Sequence, residues 1–154
     1  MYCMYMKFTK TRDVTAPKRA NPGDAGIDFF IPNDFPETIL QHGEKVVIPA
    51  GIKVEVPIGY ALIFHNKSGV AVKKNLYVGA DTIDHGYSGE VHINLINNGS
   101  AAQAIGPGDK IIQGILIPVS LVELIEVDEA QLYANIHVAG SRGAGGFGST
   151  GTKG

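Results

Sequence analysis

Residues 78–90 have the sequence Val-Gly-Ala-Asp-Thr-Ile-Asp-His-Gly-Tyr-Ser-Gly-Glu, which combines turn-forming glycines with two aspartates and one tyrosine. Gly-Tyr-Ser-Gly is typical of a turn, and the segments on both sides have the apolar character of strands. We therefore expect a hairpin-like ribbon whose tip carries a carboxylate, that of Asp81 or Asp84, beside the ring of Tyr87. In an isolated surface turn such acids are more often only solvated, so the rest of the chain has to decide between the two interpretations.

Short strands separated by turns account for most of the remaining sequence. Residues 52–56 and 91–95 alternate apolar and polar side chains, as half-buried strands do, and residues 121–127 are expected to continue the strand pattern. Twenty glycines and eight prolines are spread through the chain and mark many turns. One short helix is expected to begin near Gly69. The sequence thus predicts a single all-β domain, a sandwich or barrel, with one short helix.

The composition limits the class of protein. At 154 residues the chain is expected to form one domain with a substantial core. The net charge of -2 argues against a general nucleic-acid or membrane-surface partner. The single cysteine, Cys3, cannot form an internal disulfide, which favours a reducing, cytoplasmic environment. Residues 1–10 are too short and polar for a signal peptide, and no run approaches the roughly 20 apolar residues of a membrane span.

Polar residues inside apolar surroundings are candidates for a site. Asp28 lies among apolar residues, where an acid is either at an exposed edge or buried with a partner. Lys67 and Ser68 precede the expected helix, whose first N–H groups could bind an anion. Most such positions are ordinary helix caps, and Ser68 would then be the cap. Gln113 interrupts an apolar strand at residues 110–119, so it either faces solvent or donates a hydrogen bond into a site.

Residues 139–154 are rich in glycine and have no helix or strand pattern. Residues 143–148, GAGGFG, fit the G-x-G-x-x-G dinucleotide pattern, but the strand, helix and acidic residue that this fingerprint requires do not accompany it. The segment is therefore either a disordered terminus or an arm that orders on an anionic, aromatic ligand. For the second interpretation, Arg142 supplies a charge-assisted fork for phosphate and Phe147 a stacking face for a base.

Five segments occur together in the order of a known family. They are PGDAGID at 22–28, KSGVA at 67–71, DTIDHGYSGE at 81–90, GDKIIQG at 108–114 and RGAGGFGSTG at 142–151. With all five motifs matched, the chain resembles the homotrimeric dUTP pyrophosphatases (dUTPases). Any one motif is modest support, but five in order cover nearly the whole chain.

The resemblance implies a jelly-roll-like β fold, in which residues 1–140 form the domain and residues 141–154 a flexible glycine-rich arm. It implies a homotrimer with active sites at the subunit interfaces, each built from two subunits and covered by the arm of the third. The implied reaction is Mg²⁺-assisted hydrolysis of dUTP to dUMP and pyrophosphate. Such a reaction keeps uracil out of DNA and supplies dUMP for thymidylate synthesis.

The resemblance also implies roles for individual residues. Asp84 would be the general base that activates a water for in-line attack on the α-phosphorus. Tyr87 would lie against the deoxyribose and exclude a 2′-hydroxyl, and the backbone near Asp81 and Tyr87 would recognise uracil. Asp28 would support the water shell of Mg²⁺, which is expected to bind phosphates and water with no direct protein ligand. The other implied substrate contacts come from Lys67, Ser68, Gly69 and Gln113 to the phosphates, from Arg142, Ser149 and Thr150 to the γ-phosphate, from Phe147 to uracil, and from Gly148 in the same arm.

Three positions depart from the usual motifs of the family. Lys67 stands where arginine is usual, and lysine keeps the charge without the bidentate fork. Asp81 occupies a position where small residues are common, and its side chain either points to solvent or adds repulsion near the triphosphate. Gly86 replaces an acid found in many members, with little expected effect because only a turn is needed there.

Other classes of protein explain the motifs less well. A dCTP deaminase shares the expected fold but lacks a glycine-rich arm with a phenylalanine. A structural jelly roll, such as a capsid subunit, gives no reason for five polar clusters. A regulatory protein partner in addition to catalysis remains open, because small trimeric dUTPases of viral or phage origin sometimes act by contacting another protein.

Overall fold

The computed structural model describes residues 5–133. The chain divides into two compact units, Met1–Leu121 and Val122–Gly154. No helix in the described range is long and apolar enough to span a bilayer. The regular elements of residues 5–133 are β1 (Lys7–Lys10), β2 (Ile27–Phe30), β3 (Thr38–Leu40), β4 (Lys45–Pro49), β5 (Ile52–Glu55), β6 (Tyr60–Asn66), α1 (Ser68–Lys74), β7 (Leu76–Val78), β8 (Thr82–Asp84), β9 (His92–Asn97), β10 (Gln103–Ile105), β11 (Lys110–Pro118) and α2 (Glu129–Leu132).

The strands of the first unit pair antiparallel in four small sheets. The largest sheet has the order β2-β11-β6-β8, and the next has the order β4-β9-β7. Two further pairs are β1-β5 and β10-β3. The longest ladder joins β11 to β6, from Ile112 opposite Asn66 to Pro118 opposite Tyr60. This arrangement, with turns between short strands, confirms the predicted all-β, jelly-roll-like fold.

One apolar core lies between the sheets of the first unit. Strand β5 shows the expected alternation, with Ile52 and Val54 buried and the two residues between and after them exposed. In the largest sheet, the rings of Phe29 and Phe64 meet edge to face, with their centroids 5.0 Å apart. Gly114 of β11 lies beneath them, where an added Cβ would come within 3.0 Å of Phe29. The core therefore requires glycine at this point of the central strand.

The expected strand at residues 121–127 is wrong. Strand β11 ends at Pro118, which has no N–H to continue the ladder, and the last strand-like bond is donated by the Val119 N–H to the Gly59 carbonyl. Residues 121–128 have no regular structure and are exposed. A four-residue helix, α2, then begins at Glu129. It was not predicted, because so short a helix leaves no periodic pattern in the sequence.

Helix α1 forms where the sequence placed a helix, but it begins one residue earlier than expected. Lys67 is at the N-cap position with extended backbone angles, and no side chain caps the helix there. Ser68 is therefore the first helical residue and not the cap. The helix ends at Lys74 and is capped by Asn75, which has a left-handed conformation (φ 53°) and donates its N–H to the Ala71 carbonyl.

Candidate active site

Asp84 is the last residue of β8, an edge strand of the largest sheet. It pairs with Ala61 of β6 and is itself exposed. A turn follows directly, in which the Tyr87 N–H donates to the Asp84 carbonyl at 3.2 Å. Gly86 in this turn has a φ of 87°, a left-handed conformation that glycine adopts without steric cost. The turn thus presents the Asp84 carboxylate and the Tyr87 ring on neighbouring positions.

The two ends of this turn belong to different sheets, so the expected hairpin-like ribbon is wrong. Strand β8 pairs with β6, whereas β9 pairs with β4 and β7. Within residues 5–133, no ladder joins β8 to β9. The connection therefore crosses from one sheet to another, and its middle residues lie outside every ladder.

A cavity of about 250 Å³ lies against this connection. Its lining includes Asp81, Asp84, Tyr87 and His92. Tyr87 is 46% exposed, and its hydroxyl donates to the Glu90 carbonyl at 2.8 Å. An aromatic face with a fixed orientation therefore lies in the same cavity as a carboxylate.

Glycine at position 89 is required by the Tyr87 ring. A Cβ added to Gly89 would lie 2.5 Å from the Tyr87 hydroxyl oxygen and 2.6 Å from the adjoining ring carbon. The ring thus rests directly on the backbone of the turn. Gly89 fixes the place of the ring by leaving room for it, a role that the turn pattern alone did not indicate.

Asp81 lies just before β8. Its carbonyl accepts a hydrogen bond from the Phe64 N–H at 2.8 Å, and its exposed carboxylate accepts one from the Thr82 hydroxyl at 3.0 Å. The backbone here is therefore held to β6. The Asp81 side chain is exposed and belongs to the lining of the cavity.

A second cluster surrounds Asp28 on β2. Asp28 is only 4% exposed, and its two carboxylate oxygens pair with Lys67 at 2.5 Å and Lys110 at 3.1 Å. Burial raises the pKa of the Asp28 carboxyl, but the hydrogen bonds and charges of the two lysines outweigh this effect, so its pKa lies below its ordinary value. Of the two alternatives left by the sequence, Asp28 is the buried and paired acid.

Gln113 completes this second cluster. It lies opposite Asp28 in the β2–β11 register, and its amide donates to the Asn66 carbonyl at 2.9 Å. An added Cβ on Gly26 would overlap the Gln113 amide, so the first motif requires glycine where it meets the fourth. A cavity of about 370 Å³ lies here, with Asp28, Lys67 and Gln113 in its lining. The first, second and fourth motifs therefore meet in one place.

The two cavities lie at opposite edges of the largest sheet and share no lining residue. Asp28 is on edge strand β2 and Asp84 on edge strand β8, three strand intervals apart, or about 14 Å. The registers also offset them by four residues, since Asp28 aligns with His65 through Gln113 while Asp84 aligns with Ala61. That offset adds about 13 Å along the strands and gives a separation of about 19 Å. Within one chain, the third motif therefore lies apart from the cluster formed by the first, second and fourth motifs.

Two charged residues matter more than the sequence suggested. Lys110, quoted only as part of the fourth motif, is the second partner of Asp28. Glu90, the last residue of the opening stretch, accepts hydrogen bonds from Arg12 at 2.8 Å and from the Gly51 N–H at 2.9 Å. The hydrogen bond from Arg12 is the largest cause that holds the pKa of Glu90 below its ordinary value, against the effect of burial. The only signal for either role was the presence of an acid or lysine inside a motif.

The fifth motif lies outside the described residues. This holds for Arg142, Phe147, Gly148, Ser149 and Thr150, and for the expected boundary between residues 140 and 141. Of the described part of the chain, residues 5–133, no group of three or more His, Cys, Asp or Glu side chains is placed to hold a metal ion. The remaining predicted residues, Ser68 and Gly69, form the exposed first turn of α1 beside Lys67.

The fold and the two polar cavities define an all-β protein with lysine and amide donors at one edge and a carboxylate beside an aromatic ring at the other. Its sequence matches the model of the dUTPase family over residues 12–151. The chain belongs to the dUTPase family. Among curated relatives, it is 40% identical over 146 residues to the deoxyuridine 5′-triphosphate nucleotidohydrolase of Mycolicibacterium vanbaalenii, covering 91% of this chain and 90% of the relative. The corresponding protein of Thermobifida fusca is 38% identical over 142 residues, covering 90% of this chain and 74% of the relative.

Solved structures give the same family. The dUTPase of Staphylococcus bacteriophage 80alpha with dUPNHPP superposes with a TM-score of 0.80 at 26% identity, covering 96% of this chain and 98% of that one. A point mutant of the dUTPase of phage phi11 of S. aureus, which coordinates a structural Mg(II) ion, superposes with a TM-score of 0.74 at 27% identity. That match covers 82% of this chain and 98% of the phage protein.

Proposed function

We propose that this chain hydrolyses dUTP to dUMP and pyrophosphate, in active sites that the subunits of a homotrimer complete together. The observation that carries the proposal is the exposed Asp84 carboxylate in one cavity with the Tyr87 ring, in a chain whose curated relatives are named for dUTP hydrolysis. The product dUMP is the precursor for thymidylate synthesis, and removal of dUTP keeps uracil out of DNA. We propose a cytoplasmic location, or the host cytoplasm if the chain is encoded by a virus or phage, which the single cysteine of the chain supports.

Asp84 acts as the general base. Its carboxylate orients a water and takes one proton from it while the water oxygen attacks the α-phosphorus in line. The bond from the α-phosphorus to the bridging oxygen of the β-phosphate breaks, and pyrophosphate leaves with the bonding electrons. A well-placed base typically contributes about 10²–10⁴-fold to the rate. The end of β8 suits this role because sheet pairing fixes the backbone while the side chain reaches open space.

Tyr87 selects the deoxyribose. Its ring is held at two points, by the hydrogen bond from its hydroxyl to the Glu90 carbonyl and by contact with Gly89. A rigid ring against the sugar leaves no room for a 2′-hydroxyl. The backbone around Asp81 and Tyr87 recognises uracil with donors and acceptors at fixed separation, and a site of this kind rejects analogues that leave its polar groups unpaired.

The triphosphate binds at the cavity that Asp28, Lys67 and Gln113 line. Lys67 supplies positive charge at the N-terminus of α1, beside the exposed Ser68 and Gly69, and Gln113 supplies an amide. Because Lys67 is paired with Asp28, its position is set before the substrate arrives. The arm adds Arg142, Ser149 and Thr150 on the γ-phosphate, with Phe147 and the adjoining Gly148 over uracil.

The donor set fits a Mg²⁺ ion held through the substrate. Both oxygens of Asp28 are engaged by lysines, so Asp28 would not ligate the ion directly and would instead hold one of its waters. Mg²⁺ commonly keeps several waters and binds through substrate phosphates. When bound, the ion offsets the charge of the triphosphate.

The homotrimer explains the division of the motifs between two cavities. Asp28 and Asp84 lie about 19 Å apart at opposite edges of one sheet. A cyclic trimer is built from head-to-tail interfaces, which bring unlike surfaces of neighbouring subunits together. In a trimer, the β8 edge of one subunit then lies near the β2 edge of another, and each site receives both halves.

The first experiment measures pyrophosphate release from dUTP, dCTP, dTTP and UTP with Mg²⁺. The wild type turns over dUTP alone, and Asp84→Asn loses about 10²–10⁴-fold in kcat. Glu37→Gln is the matched control, since it removes one negative charge from an exposed acid outside both cavities and retains full activity. Full activity of Asp84→Asn, or indifference to dUTP in the wild type, contradicts the proposal.

A second experiment tests the shared site. Asp84→Asn and Lys67→Gln are each inactive alone, and co-expression of the two forms mixed trimers. If the residues come from different subunits, random 1:1 assortment restores about one quarter of the sites. If mixed assemblies of confirmed composition recover no activity, both residues belong to one subunit and the shared site is refuted. A monomeric mass by light scattering would refute the homotrimer.

A further inference from the structure

Residues 85–89 are held to the rest of the described chain by one hydrogen bond. These residues lie outside every strand ladder, and the other hydrogen bonds of the segment run within residues 84–90. The exception is His85, whose Nδ1 lies 2.7 Å from the Val56 carbonyl oxygen in a partly buried position. A single side chain thus connects the turn to another element.

The acceptor is a fixed point of the core. Val56 follows β5 and is 2% exposed. The chain then turns at once, with the Tyr60 N–H donating to the Pro57 carbonyl at 3.1 Å and Gly59 at a φ of 79°. A carbonyl only accepts, so the proton in this contact is on Nδ1 of His85.

We propose that His85 is a positioning residue that fixes the Asp84–Tyr87 turn by donating its Nδ1–H to the Val56 carbonyl. The inference rests on the proposed function of the two residues on either side of His85. Sheet pairing holds the turn at Asp84, and the hydrogen bonds of Glu90 hold it at its far end. Between these two ends, the hydrogen bond from His85 is the one that ties residues 85–89 to another element of the described chain. A shift of about 1 Å in a catalytic group costs up to about 10²-fold in rate, so one hydrogen bond here has a catalytic effect without any contact to the substrate.

Three variants separate the hydrogen bond from the imidazole ring. His85→Ala removes the donor. His85→Asn keeps an N–H on the atom bonded to Cγ, the same place as Nδ1, while His85→Gln moves its amide one carbon further. His42→Ala is the matched control, because His42 Nδ1 makes the same kind of partly buried contact, 3.0 Å from the Gly99 carbonyl oxygen, outside both cavities.

Two measurements are made on each variant. The first is hydrogen exchange of the Tyr87 amide in the protein without nucleotide, relative to amides of β6. The second is kcat and KM for dUTP with Mg²⁺. We expect His85→Ala and His85→Gln to speed Tyr87 exchange and to lower kcat about 10–100-fold with KM changed less. His85→Asn recovers both to within about 3-fold, and His42→Ala matches the wild type in both.

Two results overturn the inference. One is unchanged Tyr87 exchange in His85→Ala, and the other is an equal loss of kcat in His85→Asn and His85→Ala. If the wild type does not hydrolyse dUTP, the proposed function fails, and the exchange measurement still decides whether His85 holds the turn.

Discussion

The ion pairs of buried Asp28 allow a test of how burial affects the stability of the cavity that Asp28, Lys67 and Gln113 line. The Asp28 side chain is 6% exposed, whereas those of Lys67 and Lys110 are 22% and 43% exposed. Lys67→Met leaves a buried carboxylate with one partner, and a lost hydrogen bond to a charged group costs about 1.5–3 kcal/mol. Asp28→Asn leaves two lysines that can turn towards water, so we expect a smaller cost, about 1 kcal/mol. Removal of the lysine therefore destabilises more than removal of the acid.

The sign of the pH dependence distinguishes this explanation from a general loss of packing. In the wild type, the depressed pKa of Asp28 contributes stability above the unfolded-state pKa of about 3.9 and loses it as pH falls through the lower folded-state pKa. In Lys67→Met, one lysine remains to offset the effect of burial, so the pKa of Asp28 is higher than in the wild type. The cost of Lys67→Met is then largest near neutral pH and shrinks as the carboxyl is protonated.

Urea unfolding at fixed protein concentration measures these free energies, for the wild type and both variants, at pH 7 and at steps down to about pH 3, below the unfolded-state pKa of an aspartate. Protein concentration is held constant because assembly contributes to apparent stability. Lys110→Met serves as a comparison and should cost less than Lys67→Met, since Lys110 is the more exposed partner. An equal cost for Lys67→Met and Asp28→Asn, or a cost that does not fall with pH, would refute the reasoning.

Three further predictions concern the turn and its supports. Gly89→Ala places a Cβ against the Tyr87 hydroxyl and should lower kcat/KM for dUTP about 10-fold, with a wild-type midpoint in urea as the check that the fold survives. Tyr87→Ala should raise the ratio of UTP to dUTP turnover, measured as relative kcat/KM, and an unchanged ratio would exclude the ring as the sugar filter. Glu90→Gln should lower the free energy of unfolding by about 1 kcal/mol, a value reduced because solvent surrounds Arg12. Urea unfolding measures this difference. The difference should shrink below about pH 4.5, because the stability from the depressed pKa of Glu90 is lost as pH falls.

The sequence predicted strands at residues 52–56, 91–95 and 110–119, where burial leaves a visible apolar pattern, but it did not predict the three-residue strands β3 and β10. The alternation at residues 52–56 corresponds to β5, and the apolar run before Pro118 corresponds to β11. The same rule failed at residues 121–127, where apolar residues recur but the strand has already ended. Alternation reports that a segment could pair; it does not report whether a neighbouring strand is within reach.

The candidate site was predictable in its residue types and not in its arrangement. Turn glycines and polar residues in apolar surroundings picked out Asp28, Asp84 and Gln113 from sequence. Their division between two edges of one sheet depends on strand order, which follows from non-local pairing of β2, β11, β6 and β8. The partners Lys110 and Val56 are likewise non-local, and no local pattern indicates them.

The arrangement of the largest sheet also bears on how such a protein diverges. No side chain lines both cavities, so a substitution in the loop after β8 leaves the packing around Asp28 unchanged, and the converse also holds. The residues that line one cavity can therefore change without disturbing those that line the other. The central strands have no such freedom, because Gly114 of β11 lies against Phe29 and Leu62 and any larger residue there would displace both neighbours. Variation is expected to accumulate at the edges of the sheet and to be purged from its centre.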